Sequence, residues 1–197
     1  MTKIALLVGS LQTKSVNKLL ASNLEKLAPA GTQFDYVDLG SLPLFNQDLE
    51  SEFPASARAM KDVIEASDGV LFVTPEYNRS ISGVLKNAID WASRPWGSNS
   101  FSGKPAGIVG ATISPLGTGP AQAGLREIVV YMGMKLMGQP EVYLTVSAET
   151  FNENGDVNES LKQSFGDYIL ALTTWIEAEK IESEIKSVGE QHLVALK

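Results

Sequence analysis

The sequence predicts one α/β domain built on a doubly wound, five-stranded parallel sheet with helices on both faces. Three observations carry that prediction. Five short apolar runs alternate with longer segments of helical period, the pattern left by strands joined through crossover helices. Several of the runs are too continuously apolar to have a wet face, so they read as strands buried on both sides. No internal repeat, low-complexity stretch or Pro/Gly/Ser linker interrupts the 197 residues, a length suited to a single core.

The first run, Ile4–Val8, is followed by Val16, Leu19, Leu20, Leu24 and Leu27 on one helical stripe. Phe34–Val37 forms the second strand, and Ala55–Ala66 is a weaker helix before the third strand, Val70–Thr74. Leu85, Ala88, Ile89 and Ala92 mark the next helix, and Ala106–Ala111 the fourth strand. Leu125, Ile128, Val129, Met132 and Leu136 then predict a helix reaching Met137, ahead of the fifth strand at Val142–Val146. Leu161, Phe165, Tyr168, Ile169, Leu172 and Ile176 form the last long stripe. The domain is therefore drawn over residues 1–180. Residues 181–197, which lose the stripe and contain Gly189, read as a partly ordered C-terminal tail. The helix ending near Met137 bears a second apolar face at Val130, Met134 and Met137. Such a face is either packed more deeply than usual or covered by a second subunit in a homodimer or homotetramer.

Composition narrows the chemistry. Sixteen basic against twenty-three acidic side chains give a net charge of −7, and with no basic run nucleic acid is not an expected partner. The apolar core within Met1–Ser10 is five residues long, too short for a signal peptide or a membrane span. A cytoplasmic protein with no membrane partner is expected. The chain has no cysteine, which removes thiolate nucleophiles, iron–sulfur ligation of the usual kind and Cys-based zinc sites. Its one histidine, His192, lies near the C-terminus, so a Ser–His–Asp relay is not expected. An enzyme with this composition would borrow its chemistry from a cofactor; no catalytic side chain and no metal ligand is singled out.

In a doubly wound sheet, ligands sit outside the carboxyl ends of the strands. The loop after the first strand reads Gly9-Ser10-Leu11-Gln12-Thr13-Lys14-Ser15-Val16-Asn17 and runs straight into a helix. Gly9 permits a sharp turn, the hydroxyls and amide are polar ligands, and the free N–H groups of the helix's first turn face the same space. Those features suit a phosphate. The loop lacks the Walker pattern and the three glycines of the dinucleotide fingerprint, which disfavours ATP and a Rossmann-bound NAD. An ordinary turn with Ser15 as N-cap would also account for it. After the third strand, Pro75-Glu76-Tyr77-Asn78 offers backbone N–H groups, an aromatic face and an amide in succession, which suits a flat heterocycle with acceptors on its edge. The bland alternative is a turn closed by an N-cap at Ser80 or Ser82.

Gly-Ser-Leu-x-x-x-Ser-x-Asn at 9–17, Pro-Glu-Tyr-Asn at 75–78 and Ser-Gly-x-Leu-Lys-Asn-Ala-Ile-Asp-Trp at 82–91 resemble the NADPH-dependent FMN reductase family, which includes flavodoxin-like quinone, chromate and azo-dye reductases. The likeness runs over roughly residues 3–178. It implies the flavodoxin-like strand order 2-1-3-4-5 and bound FMN. By position, Ser10, Ser15 and Asn17 would hold the phosphate, within a cofactor-binding segment that also takes in Leu11, Gln12 and Val16. Pro75, Glu76, Tyr77 and Asn78 would meet the isoalloxazine ring, largely through backbone groups, with Ser82 starting the helix behind it. The family usually has Arg where this chain has Gln12, so one expected cation is missing; either Lys14 or a neighbouring subunit would supply the charge, or FMN would bind more weakly. In the loop after the fourth strand, where Pro115 and Pro120 depart from the family pattern, Thr112 and Ser114 are assigned to the flavin's polar edge.

The resemblance implies hydride transfer from NADPH or NADH to the flavin and two-electron reduction of a quinone, flavin, azo or metal-oxyanion acceptor. Arg79 or Arg94 is a candidate partner for the 2′-phosphate of NADPH, although either, and Arg94 in the first place, also reads as a solvated surface charge. The alternative is a flavodoxin-type electron carrier, which uses the same fold and cofactor without oxidising NAD(P)H.

Overall fold

The computed structural model describes the backbone of residues 1–195 and the side chains of residues 1–187. The chain folds as β1 (Thr2–Val8), α1 (Val16–Leu27), β2 (Thr32–Tyr36), α2 (Ala55–Ala66), β3 (Gly69–Val73), α3 (Gly83–Ala92), β4 (Pro105–Thr112), α4 (Gly119–Tyr131), β5 (Lys135–Leu136), β6 (Val142–Thr145) and α5 (Glu159–Ala195). Two 3-10 turns, Leu39–Ser41 and Gln47–Glu50, lie in the long β2–α2 connection.

All strands are parallel, in the order β2-β1-β3-β4-β5. The expected fifth position is shared by two short strands. β5 pairs Pro105 and Ala106 at the start of β4, and β6 pairs Val109–Thr112 at its end.

Strand side chains alternate between two buried layers. Ala5, Leu7, Val70, Phe72, Ala106 and Ile108 face α2, α3 and α4, whose Ile64, Leu85, Ala88, Leu125 and Val129 cover them. Ile4, Leu6, Leu71, Val73, Val109 and Ala111 face α1 and α5, through Leu20, Leu24, Phe165, Tyr168, Leu172 and Ile176. Alternation at period two, with both faces apolar, is what turned these strands into continuous apolar runs in the sequence.

Strand ends shift by at most two residues from those expected, and two helix ends shift by more. α4 stops at Tyr131, because Gly133 adopts φ +71° and its neighbour Met134 donates its N–H back to the Val129 carbonyl, a left-handed helix ending. Leu136 therefore belongs to β5. Met134 and Met137 are buried in the core, while Val130 is exposed, so the three do not form one helical face. At the C-terminus, residues 181–195, read as a partly ordered tail, continue α5. The His192 side chain lies outside the described residues.

Candidate functional site

The carboxyl ends of β1, β3 and β4 bring three loops together. Gly9 is the meeting point of the first two: a Cβ there would press within 3.0 Å of Ser82 Oγ and 3.2 Å of Pro75 Cδ. Glycine is required by this approach rather than by its φ. The two ends of the third loop are tied to the others, Ala111 of β4 to Asn17 and Ala121 of α4 to Glu76.

In the first loop, Ser15 is the N-cap of α1, its Oγ accepting from the N–H groups of Asn17 (3.2 Å) and Lys18 (3.4 Å). The N–H groups of Gly9 and Ser10 donate to the Val73 and Val8 carbonyls. Among the described residues, the next six N–H groups, from Leu11 to Val16, have no protein acceptor. Ser10 and Ser15 are buried beside them, and Leu11, Gln12, Thr13 and Lys14 are exposed. A run of unpaired donors ending at a helix N-terminus is a seat for an anion. Asn17 has a further part. Its Nδ2 donates to the Ala111 carbonyl and its Oδ1 accepts the Ala111 N–H, both at 2.9 Å. The side chain expected on the phosphate thus also pins α1 to the end of β4, with its second Nδ2–H left over.

The second loop is a two-residue hairpin. Tyr77 and Ser80 exchange N–H···O bonds of 3.0 Å in both directions, around Asn78 and Arg79 at φ 52° and 66°. This is the left-handed pair of a type I′ turn, a conformation Asn tolerates and Arg seldom adopts. The N–H groups of Glu76, Asn78 and Arg79 have no acceptor among the described residues. Tyr77 is 55% exposed, free to present a ring face. Ser82 caps α3, its Oγ accepting the Leu85 N–H at 3.3 Å. Glu76 turns its carboxylate inward: Oε2 accepts the Ala121 N–H at 3.2 Å, and Arg79 lies 3.9 Å from Oε1.

In the third loop the hydroxyls of Thr112 and Ser114 accept the N–H groups of Ser114 (3.2 Å) and Leu116 (3.5 Å). They shape the loop while keeping their O–H donors. Ile113 and Leu116 are exposed at its tip. The free N–H groups on loops one and two, with the exposed ring of Tyr77 and the exposed apolar tip of loop three, suit a phosphorylated flat ring, so the residues fit FMN. Among the described residues no cluster of metal-ligating side chains occurs.

Arg94 is not at this cleft. It sits beyond the C-terminus of α3, over the rings of Phe45 and Trp96 at 5.8 Å and 3.9 Å from Glu50. There it lines a cavity of about 740 Å³ between the C-terminal halves of α3 and α4, with Ile128, Tyr131 and Met132. The sequence analysis does not anticipate this cavity, because the exposure of Trp96 follows only from the fold.

Comparison with known proteins agrees with the geometry. Residues 2–149 match the family model described as NADPH-dependent FMN reductase. A 2-hydroxy-1,4-benzoquinone reductase of Burkholderia sp is 46% identical over 91% of this chain and 98% of its own length. A quinone reductase of Pseudomonas putida is 39% identical over 88% and 94%. Among solved structures, the flavoenzyme NAD(P)H:(acceptor) oxidoreductase FerB from Paracoccus denitrificans superimposes with a TM-score of 0.87 at 40% identity, covering 91% of this chain and 99% of that one. The flavodoxin, WrbA-like protein from Agrobacterium tumefaciens, 16% identical with a TM-score of 0.57 over 91% and 98% of the two chains, shares the fold. A family model spanning three of the cleft-building strands, and relatives matched over nearly their whole length, place this chain in the NADPH-dependent FMN reductase family.

Proposed function

We propose that this chain is an FMN-dependent NAD(P)H oxidoreductase that reduces a small acceptor, with quinones as the preferred class. The observation that carries the reading is the row of six unpaired N–H groups from Leu11 to Val16, ahead of α1 and beside the free donors of 76–79. The quinone reductases among the relatives favour a quinone over a free flavin, an azo dye or a metal oxyanion.

When bound, FMN supplies the redox chemistry, hydride acceptance from NAD(P)H and two-electron donation to the acceptor. The chain supplies the rest. Ser10, Ser15 and the N–H groups of Leu11, Gln12 and Val16 would hold the phosphate, and with a neutral side chain at Gln12 the neighbouring cation is Lys14. Pro75 and Ser82 fix the ends of the ring loop. The N–H groups of Glu76 and Asn78 would donate to the ring edge and stabilise negative charge gained on reduction. The face of Tyr77 would meet the flat ring or the acceptor, and Thr112 and Ser114 have hydroxyl protons to give to the polar edge. No side chain is required as a proton shuttle.

Oxidation of NADPH and NADH with menadione as acceptor tests this directly. The purified protein should take up FMN, show flavin absorbance and consume NAD(P)H only when menadione is present or far faster with it. Uptake of FMN without NAD(P)H oxidation would make it an electron carrier, a reading its reductase relatives do not favour, and failure to take up FMN would refute both.

The finer proposals are a homo-oligomer and a cytoplasmic site of action. Trp96 and Tyr131 are exposed at the α3–α4 cavity, whose rim carries Lys86 and Arg94 against Asp90 and Glu127. An apolar centre with a charge-balanced rim is self-complementary, as a two-fold interface requires. Sedimentation at micromolar concentration should give a dimer or tetramer, and a monomer would remove the proposal. No helix among the described residues is long and apolar enough to cross a membrane. Cell fractionation should recover the protein with the cytoplasmic marker rather than the envelope.

A further inference from the structure

The N-terminus of α4 is capped from outside its own chain segment. Thr118 occupies the N-cap position but makes no side-chain cap. Its hydroxyl points inward instead, accepting from Gln122 Nε2 at 2.8 Å, in a space so close to β4 that a Cβ on Gly110 would collide with it. The first-turn donors are accounted for one by one. The Gly119 N–H donates to the Leu116 carbonyl, Pro120 has none, and the Gln122 N–H reaches the Thr118 carbonyl. The remaining donor, on the fully buried Ala121, is taken by Glu76 Oε2, 45 residues earlier in the chain. The Glu76 side chain is 8% exposed. A buried carboxylate at a helix N-terminus meets both an unpaired donor and the positive end of the helix dipole.

We propose that Glu76 is a positioning residue whose carboxylate, capping α4, locks the ring-facing hairpin 75–80 to the first turn of α4, and through it the end of the loop 112–118, so that both sides of the flavin cleft keep one spacing. The inference rests on the FMN reading for its functional consequence and on geometry alone for the lock. It also explains why the hairpin holds Asn78 and Arg79 in the left-handed region: with Glu76 anchored inward and Ser82 anchored as the α3 cap, five residues must reverse direction in a short span. Strain of this kind persists only where the surroundings impose it.

The test compares wild type, Glu76→Ala and Glu76→Gln as full chains. In the apoprotein, amide hydrogen exchange at Tyr77 and Ser80 should accelerate together with exchange at Ala121 in Glu76→Ala. Glu76→Gln, which keeps an oxygen able to accept the Ala121 N–H, should restore protection at both places. For FMN, the dissociation constant from fluorescence titration should rise about tenfold or more in the alanine variant and by less in the glutamine variant, the difference one retained hydrogen bond makes. In Glu76→Ala the KM for the acceptor should rise more than kcat falls. Faster exchange at Ala121 with Tyr77, Ser80 and the FMN dissociation constant unchanged would overturn the proposal and leave Glu76 a local helix cap. If wild type itself takes up no FMN, the FMN reading fails while the exchange data still decide whether the two loops are locked.

Discussion

Asn17 lies in the first turn of α1, yet its amide is bonded to the backbone of β4, 94 residues away. Removing it orphans a buried N–H and C=O at Ala111, so Asn17→Ala should cost about 1–3 kcal/mol in urea unfolding and weaken FMN binding by loosening the loop before it. An unchanged midpoint would show that water replaces the clasp. Nothing in the sequence distinguishes this role from that of a phosphate ligand, because both need a buried amide at the start of a helix. Ser15 was more legible: capping α1 and facing an anion are compatible duties for a Ser at that position, and its cap geometry is present. Glu76 stood within a legible motif, but its partner Ala121 has no side chain that could signal it.

At the scale of elements, the strands and most helices could be placed from the period of their apolar residues, α2 to the residue. The end of α4 could not, because Met134, Leu136 and Met137 are apolar for β5 and for the core and happen to continue the helical spacing. The stop signal was Gly133, one glycine inside an apolar stretch. Another element-scale contact was invisible for a different reason. Lys61 of α2 is fully buried, and its Nζ donates to the Ala92 carbonyl at the end of α3 (2.9 Å) and to that of Ser98 (2.6 Å). Burial pushes its pKa down, partly opposed by Glu65. A lysine on the inner face of a helix breaks the expected pattern, and only the position of the α3 end explains it. Lys61→Met should leave those carbonyls without their donor and lower stability by about 1–3 kcal/mol, with faster proteolysis at the 93–99 loop. Proteolysis at the wild-type rate would mean that the loop is held by other contacts.

The molecule as a whole is closed at the end of the sheet opposite the cleft by Asp68, which accepts the Lys3 N–H and the Lys180 ammonium at 2.8 and 2.9 Å. Burial pushes its carboxyl up, but the Lys3 N–H and Lys180 outweigh that and hold it below the ordinary carboxylate value. A lowered pKa in the folded state gives stability that is complete above the unfolded value of about 3.9 and is lost as pH falls through the folded one. Asp68→Asn should therefore cost about 1–2 kcal/mol at pH 7, with the gap from wild type shrinking below pH 4 in urea melts; a gap that stayed constant with pH would rule out the carboxylate as its source. The overall architecture was legible because a sheet buried on both faces leaves its record in every strand. The joining of loops across that architecture was not, since it depends on which backbone groups remain unpaired after folding.

The unpaired N–H groups of Leu11–Val16 have a consequence for how the empty protein behaves in a test tube. A concave row of donors at a helix N-terminus holds a standing positive potential that only an anion can neutralise, so the apoprotein is a weak receptor for whatever oxyanion the buffer contains. Mass action then makes its melting temperature a function of buffer chemistry. The apoprotein should melt at a higher temperature in phosphate than in a chloride buffer of equal ionic strength and pH, and saturating FMN should abolish the difference.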